Sequence, residues 1–320
     1  MNGAQILSVT YPNYLENRLL IPCLCGSSGG MTIRRRDRYG LRFDYKLCLK
    51  CGHVRTSNPL TPAATKQFYS TSDYRTMYFP GQSRREVLLK KTPKPHTRSQ
   101  LLEYVEELAI KKGSLVEWGC GGGWNLVPFR DAGWQVLGFD YDEPYVELGR
   151  EVLGLDLHVI PTQDEKTQVL INPDVIVLNH VLEHAVDPRV LLTHLRSFSK
   201  PTTTLVVGIP LLETIPTWHW RDFFHIAHIH YFSPSSFEDV ARVAGWKISH
   251  KKTEVGLFAL AISDAPFVPQ RQRMDSARSL LSLIAGFLEP KYRFMRALRR
   301  LLTVMGLRST ARKMKHLIRR

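Results

Sequence analysis

Short apolar runs recur along the middle of the chain and alternate with longer segments of helical periodicity. Five of these runs lie at 114–118, 135–139, 156–160, 174–178 and 203–209. Because the segments between them are long enough for helices, the alternation predicts parallel strands joined by crossovers. Two more runs, at 246–250 and 256–262, are separated by a hairpin-length gap, which predicts an antiparallel end to the sheet. We therefore expect a doubly wound α/β fold with a mostly parallel, seven-stranded sheet over residues 95–265.

Different patterns precede and follow this region. Residues 20–58 lack helical periodicity and are rich in Cys, Gly and Arg, so we expect a small module with its connector over residues 1–80. The stretch from Pro80 to Arg98 contains further prolines and glycine and a run of basic residues, which predicts a linker or an exposed loop. Residues 270–320 place apolar side chains on one helical face and arginines on another, the pattern of a basic amphipathic helical tail.

The distribution of charge changes what the formal net charge of +15 implies. Residues 271–320 hold 14 Lys and Arg against 2 acids, a net of +12, which leaves +3 for residues 1–270. A nearly neutral body makes nucleic acid a less favoured partner.

The tail has two interpretations that the sequence leaves open: contact with an anionic membrane, or packing against the catalytic domain or a second subunit. No apolar run approaches the ~20 residues of a membrane span. We expect a cytoplasmic protein. If the tail contacts the membrane, the protein is attached peripherally at the inner face.

Four of the five cysteines form two pairs, Cys23 with Cys25 and Cys48 with Cys51, and 22 residues lie between the pairs. This gap is close to that of a zinc ribbon, and four thiolates suit a structural, tetrahedral Zn²⁺. The first pair has one intervening residue where two are usual. Two alternatives therefore stay open: His53 as a substitute ligand, and a site that no longer binds metal.

A glycine-rich turn follows the run at 114–118, in the order Glu117-Trp-Gly119-Cys-Gly121-Gly122-Gly123. A sharp turn that lets a ligand approach the backbone needs residues without a Cβ, and the helix that follows offers free N–H groups. Asp140 ends the next strand, 21 residues after Gly119, where a carboxylate can accept hydrogen bonds from ribose hydroxyls; Asp142 is the alternative. Trp124 stands where a dinucleotide-binding turn has Gly or Ala. The sequence thus predicts an adenosine ligand that is not a dinucleotide.

The pattern E-x-G-x-G-x-G resembles the first motif of class I S-adenosylmethionine-dependent methyltransferases. The resemblance continues through VLGFDYDEPYVELGR, DVIVLNHVLEHAVDP and HIHYFSPSSFEDVARVAGW, and covers roughly residues 100–262. It implies that S-adenosylmethionine is bound by Glu117 at its amino group, by Gly119, Gly121 and Gly123 along the methionine part, by Asp140 at the ribose, by Tyr141 at the adenine, and by Asn179 and His180 near the methionine. A contact to the adenine edge is expected from residues 162–165, without a single residue assigned.

The acceptor side of the reaction is expected after the fourth and fifth strands, because ligands sit at the carboxyl ends of parallel strands. Glu183 and His184 follow the fourth strand. They are interpreted as a structural pair, or as part of a divalent-ion site like that of some ubiquinone-pathway O-methyltransferases, although His180 occupies the first acidic position. A segment with four histidines follows the fifth strand, from 218 to 232. It resembles the E-H-x-x-[YF]-F-[ST] stretch of deoxysugar C-methyltransferases.

That match implies that His228 is the catalytic residue, with Ala227 in place of the glutamate; the alternative is that His228 and His230 only hydrogen-bond a lid. The same enzymes carry an N-terminal zinc module and an aromatic stretch similar to FYSTSDYRTMY. We therefore expect methyl transfer to a small-molecule or glycan acceptor, such as a nucleotide- or lipid-linked sugar, at carbon or at a hydroxyl oxygen. The alternatives are a zinc-ribbon RNA methyltransferase and a non-catalytic, cofactor-binding scaffold anchored by its tail. The oligomeric state is left open.

Overall fold

The structure is a computed structural model that describes residues 12–71, 73–94, 99–160, 172–214 and 220–264. The predicted basic tail at 270–320 and the predicted adenine-edge segment at 162–165 lie outside these ranges. Within them, no helix has the length and apolar character needed to cross a membrane.

The N-terminal region consists of three short strands followed by three helices. These are β1 (Met31–Arg36), β2 (Arg42–Leu47), β3 (Val54–Thr56), α1 (Pro62–Ser70), α2 (Asp73–Tyr78) and α3 (Arg84–Lys91). The strands pair antiparallel in chain order. Phe43, Tyr45 and Leu47 alternate along β2 and are buried in one aromatic core with Phe68 of α1. The inward face of this small sheet is therefore covered by the helix that follows it.

The helix α3 corrects one expectation from the sequence, since it lies inside the stretch predicted to be a linker or exposed loop. Ser83 starts it with a capping box: the Ser83 hydroxyl accepts from the Glu86 backbone N–H, and the Glu86 carboxylate accepts from the Ser83 N–H. This reciprocal pair satisfies two of the free donors at the helix start. Val87 and Leu88 are buried, so the helix packs on the rest of the molecule.

The α/β region contains the remaining elements in alternating order. They are α4 (Gln100–Glu107), β4 (Ser114–Trp118), α5 (Leu126–Asp131), β5 (Gln135–Asp140), α6 (Glu143–Leu153), β6 (Leu157–Val159), β7 (Val175–Asn179), α7 (Pro188–Ser197), β8 (Thr204–Gly208), α8 (Trp220–Phe223), β9 (His230–Tyr231), α9 (Pro234–Val243), β10 (Trp246–Lys252) and β11 (Leu257–Ile262). Two clusters of buried apolar side chains cover the two faces of the large sheet.

This sheet has seven strands in the order β10-β11-β8-β7-β4-β5-β6. The pairs from β6 through β8 are parallel, whereas β11 is antiparallel to both β8 and β10. The predicted doubly wound, mostly parallel seven-stranded sheet with an antiparallel end is confirmed. The strand order reverses between β4 and β7, and a crevice for ligands forms beyond the carboxyl ends of strands at such a reversal.

The short strand β9 belongs to the smaller sheet, although it lies between β8 and α9 in the chain. It pairs antiparallel with β3, which gives a four-stranded sheet in the order β1-β2-β3-β9. The segment that leads into β9 carries His225 and His228. The N-terminal region is consequently built onto the loop that follows the fifth strand of the large sheet.

Candidate active site

The glycine turn after β4 has the conformation that its sequence predicts. Gly119, Gly121 and Gly123 have φ values of +78°, +56° and +82°, in the left-handed region that side chains disfavour. A Cβ on Gly119 would also stand 2.3 Å from Val181 Cγ2. The turn after β4 therefore lies directly against the turn after β7, and both line the crevice where the strand order reverses.

Glu117, near the end of β4, is fully buried beneath this turn. One of its carboxylate oxygens accepts a hydrogen bond of 2.7 Å from the Asn125 side chain. The other oxygen is buried and has no hydrogen-bond partner among the described residues. Burial raises the pKa of Glu117 to about 8, although the Asn125 hydrogen bond opposes this rise. A buried acid with an unsatisfied oxygen requires a donor, and a ligand ammonium group is a suitable one.

Asp140 ends β5 and is tied to the glycine turn through backbone hydrogen bonds. Its Oδ2 accepts from the Gly121 N–H at 2.6 Å, and its Oδ1 accepts from the Asp142 N–H at 2.8 Å. Burial raises the pKa of Asp140, against these two hydrogen bonds. Each carboxylate oxygen can still accept a second hydrogen bond, for example from a ribose hydroxyl. Tyr141, the next residue, is half exposed. Asp142, the alternative to Asp140, instead faces Arg84 with 3.7 Å between Oδ1 and Nε.

Asn179 and His180 lie at the end of β7, at the same sheet edge as the glycine turn. His180 adopts φ = +55°, an uncommon conformation for a residue with a side chain, and its N–H donates to the Gly208 carbonyl. Its side chain is 64% exposed, with Nδ1 3.3 Å from Glu183 Oε1. The Glu183 hydrogen bond raises the pKa of His180. The structure thus brings those predicted cofactor residues that it describes to one edge of the sheet.

A buried cluster of one carboxylate and two imidazoles lies beside His180. Glu183 is fully buried, and its Oε1 is 3.8 Å from His228 Nε2 and 3.9 Å from His184 Nε2. The other Glu183 oxygen has no hydrogen-bond partner among the described residues. The candidate ligand atoms of Glu183, His184 and His228 lie within 4.8 Å of one another. One carboxylate and two imidazoles at this spacing can bind a divalent cation or share a proton. The two sequence alternatives for Glu183 and His184, a structural pair and an ion site, both stay predictions.

His228 is held within this cluster by contacts of its backbone and its ring. Its carbonyl accepts hydrogen bonds from Thr56 Oγ1 at 2.8 Å and from the Tyr231 hydroxyl at 3.2 Å. Its ring packs on that of His225, with 3.7 Å between centroids. Burial, together with the neighbouring histidines, holds the pKa of His228 well below its usual range, so the imidazole is neutral at pH 7. A neutral imidazole has an unprotonated ring nitrogen that can accept a proton.

Residues 94–251 match the family model of a methyltransferase domain. No curated protein matches the chain by sequence.

Three solved structures illustrate what the chain is similar to. A magnesium protoporphyrin IX methyltransferase from Synechocystis PCC 6803, with bound S-adenosylhomocysteine, is 15% identical; the match covers 63% of this chain and 100% of that one, with a TM-score of 0.45. An amino pentose methyltransferase from Micromonospora echinaspora is 14% identical over 59% and 96% of the two chains, with a TM-score of 0.43. A 1,6-didemethyltoxoflavin-N1-methyltransferase from Burkholderia thailandensis is 14% identical over 66% and 96%, with a TM-score of 0.44.

Two tyrosines from the N-terminal region contact histidines at and beside this cluster. His184 Nδ1 lies 3.0 Å from the Ala227 carbonyl and 2.9 Å from the Tyr69 hydroxyl. A carbonyl only accepts, so Nδ1 carries the proton and Nε2 presents its lone pair to the cluster. On the other side, the Tyr78 hydroxyl lies 2.5 Å from His225 Nδ1. Neither tyrosine was singled out from the sequence, where both stand in the aromatic stretch before Pro80.

The four paired cysteines form a second cluster, in the N-terminal region. Their sulfurs lie within 4.8 Å of one another, and all four are free thiols. Cys23 Sγ is 3.5 Å from Cys51 Sγ, and Cys25 Sγ is 3.6 Å from Cys48 Sγ. Tetrahedral zinc with Zn–S bonds of ~2.3 Å places sulfurs about 3.8 Å apart, so the donor set and spacing fit Zn²⁺.

His53, the alternative zinc ligand, is directed elsewhere. It is fully buried, and its Nε2 lies 2.9 Å from His230 Nδ1, while His230 Nε2 lies 3.1 Å from the Val186 carbonyl. Since that carbonyl accepts, the His230 proton is on Nε2 and the His53 proton on its own Nε2. This buried pair joins the cysteine module to β9, next to the segment that holds His228.

Proposed function

We propose that this protein transfers a methyl group from S-adenosylmethionine to a small-molecule or glycan acceptor, with a nucleotide- or lipid-linked sugar as the preferred class. The supporting observation is that two sets of residues meet at one sheet edge. Glu117, the glycine turn and Asp140 provide groups for an adenosyl amino acid. Glu183 and His228 provide a buried pair that can take up a proton beside it.

In the proposed reaction, a bond forms between the acceptor atom and the methyl carbon. The bond between that carbon and sulfur breaks, and its electron pair stays on sulfur, which yields S-adenosylhomocysteine. The proton of the acceptor atom passes to His228. Glu183, 3.8 Å from His228 Nε2, stabilises the resulting imidazolium. This role suits an acceptor that must lose a proton, such as a hydroxyl group or an activated C–H group.

The residues of the cysteine cluster would hold a structural Zn²⁺, since four thiolates leave no open position for a substrate. The metal would fix the turns on either side of β1 and β2. Through the β3–β9 pairing and the Thr56 hydrogen bond, this module in turn fixes the backbone of His228. We propose that the zinc module acts by positioning the segment that carries His228.

The test is incubation of the purified protein with S-adenosylmethionine labelled in the methyl group and with a cell extract rich in sugar nucleotides. Mass spectrometry should detect a labelled metabolite whose formation requires the protein. The variant Asp140→Asn should lose this product, whereas Asp156→Asn, at an exposed carboxylate outside the site, should form it at the wild-type rate. Intact cofactor binding without any labelled acceptor would instead favour the non-catalytic scaffold.

A further inference from the structure

Arg55 is a fully buried arginine in the middle of β3. Val54, the residue before it, pairs with Leu47 and belongs to the aromatic core of the small sheet. Because successive side chains of a strand point to opposite faces, Arg55 projects from the other face of this sheet. A guanidinium group is therefore buried on the side of the sheet that faces away from its apolar core.

The segment that carries the first cysteine pair covers this face. Arg55 donates from Nε to the Ile21 carbonyl at 3.4 Å and from Nη2 to the Ser28 carbonyl at 3.5 Å. These two carbonyls lie on either side of a turn that the Cys23 N–H closes by donating to the Ser27 carbonyl at 2.8 Å. The guanidinium of Arg55 thus joins the two ends of the turn that carries the first pair.

The second cysteine pair precedes Arg55 on its own strand. The Cys48 N–H donates to the His53 carbonyl at 2.9 Å, which closes the second turn two residues before Arg55. The two turns bring their sulfurs together, since Cys25 Sγ lies 3.6 Å from Cys48 Sγ. Both turns that carry the cysteine cluster therefore end at Arg55 or within two residues of it.

The described residues give Arg55 no anionic partner. Its two hydrogen bonds go to carbonyls, its Nη1 is buried without a partner, and no carboxylate in the described part of the chain forms an ion pair with it. Arg189 also donates to the first turn, at the Leu24 carbonyl, but Asp187 neutralises it at 2.6 Å. A buried charge without a partner is costly, so Arg55 requires an anion.

The metal-loaded cysteine cluster is such an anion, because four thiolates carry more negative charge than one Zn²⁺ compensates. We propose that Arg55 is the counter-cation of this zinc site, so that metal binding supplies the anion that the buried guanidinium lacks. The inference rests on the zinc site of the proposed function. Zinc and the charge of Arg55 should consequently stabilise each other.

The test measures the zinc affinity of the full chain by competition with a chelator. Arg55→Met removes the charge, whereas Arg55→Gln removes the charge but keeps a donor for the two carbonyls. Both variants should bind zinc about 10- to 100-fold more weakly than the wild type, the usual effect of losing a group that supports metal ligands. Arg55→Lys should retain most of the affinity. Arg42→Met, at an exposed position on β2, is the matched control and should bind zinc as the wild type does.

A double-mutant cycle separates charge pairing from a packing role of Arg55. Cys25→His replaces one thiolate by a neutral ligand and makes the zinc site less negative. In that background, Arg55→Gln should weaken zinc binding by a smaller factor than in the wild type. An equal factor in both backgrounds, or an unchanged zinc affinity in both neutral variants, would overturn the assignment of Arg55. A wild-type chain that binds no zinc would exclude the zinc site itself, and the labelled methyl product would still test the proposed reaction separately.

Discussion

Glu117 gives the sharpest prediction. In the absence of cofactor, its buried carboxylate should make the wild-type protein less stable than a variant without that charge. Its pKa is raised by burial from an ordinary 4.5 to about 8. A carboxyl group with a raised pKa in the folded state holds its proton after the unfolded chain has released it. Stability therefore falls as pH rises above about 4.5, and the whole loss is present above about pH 8.

The magnitude follows from the same two values. Each pH unit between them costs roughly 1.4 kcal/mol, so the ionised carboxylate destabilises the folded protein by on the order of 5 kcal/mol at pH 8.5. Glu117→Gln keeps the oxygen that accepts from Asn125 and removes the charge. We expect it to raise the free energy of unfolding by on the order of 3 to 5 kcal/mol at pH 8.5, and by less than ~1 kcal/mol at pH 5.

Urea denaturation at both pH values, without ligand, measures this difference. Glu147→Gln, at an exposed position on α6, is the matched control and should change little at either pH. With saturating S-adenosylmethionine the order should reverse, because only the wild-type carboxylate can pair with the ligand's ammonium group. If Glu117→Gln is no more stable than the wild type at pH 8.5 without ligand, the reasoning on its burial is refuted.

Four further predictions concern the acceptor side and the zinc module. His228→Asn should lower kcat about 10²- to 10⁴-fold in a labelled-methyl assay without changing the calorimetric affinity for the cofactor, and an unchanged kcat would exclude His228 as the base. Because burial lowers the pKa of His228, wild-type kcat should stay level from pH 7.5 to pH 6; a fall centred near pH 6.5 would indicate an ordinary histidine. Tyr69→Phe should reduce the free energy of unfolding by roughly 1 kcal/mol in urea, through the lost hydrogen bond with His184, and no change would rule out that contact. Elemental analysis should find one zinc per chain, and a Cys48→Ser variant should lack it; zinc-free, fully folded wild type would contradict the structural role.

The parts of the fold and site that follow from local sequence were predictable. Glycines in a strand-to-helix turn have a direct conformational cause, and an acid 21 residues later ends the neighbouring parallel strand. The structure joins these two features through the hydrogen bond from the Gly121 N–H to Asp140. Apolar runs of strand length likewise located the seven strands to within a residue or two.

The helix α3 was missed for a different reason. Prolines, glycine and basic residues between 80 and 98 made the whole stretch resemble a loop. The capping-box pattern Ser83-Arg-Arg-Glu86, followed by Val87 and Leu88, was nevertheless present in it. That pattern is short. The helix that it starts is stabilised by burial of Leu88 against the glycine turn, a tertiary contact that the sequence does not reveal.

Contacts between distant segments account for the rest. The Tyr69 hydroxyl meets His184, and Thr56 meets His228, across separations of 115 and 172 residues. The pairing of β3 with β9, which brings Thr56 to His228, joins two very short strands. No periodicity within either segment indicates this partner, so the N-terminal region's part in the site required the structure.

The central claim is that the glycine turn, Glu117 and Asp140 together bind one adenosyl amino acid. Calorimetric titration of the purified, folded chain with S-adenosylhomocysteine tests it most directly. The account predicts saturable binding of one molecule per chain. The absence of any association under conditions where the protein is folded would contradict it.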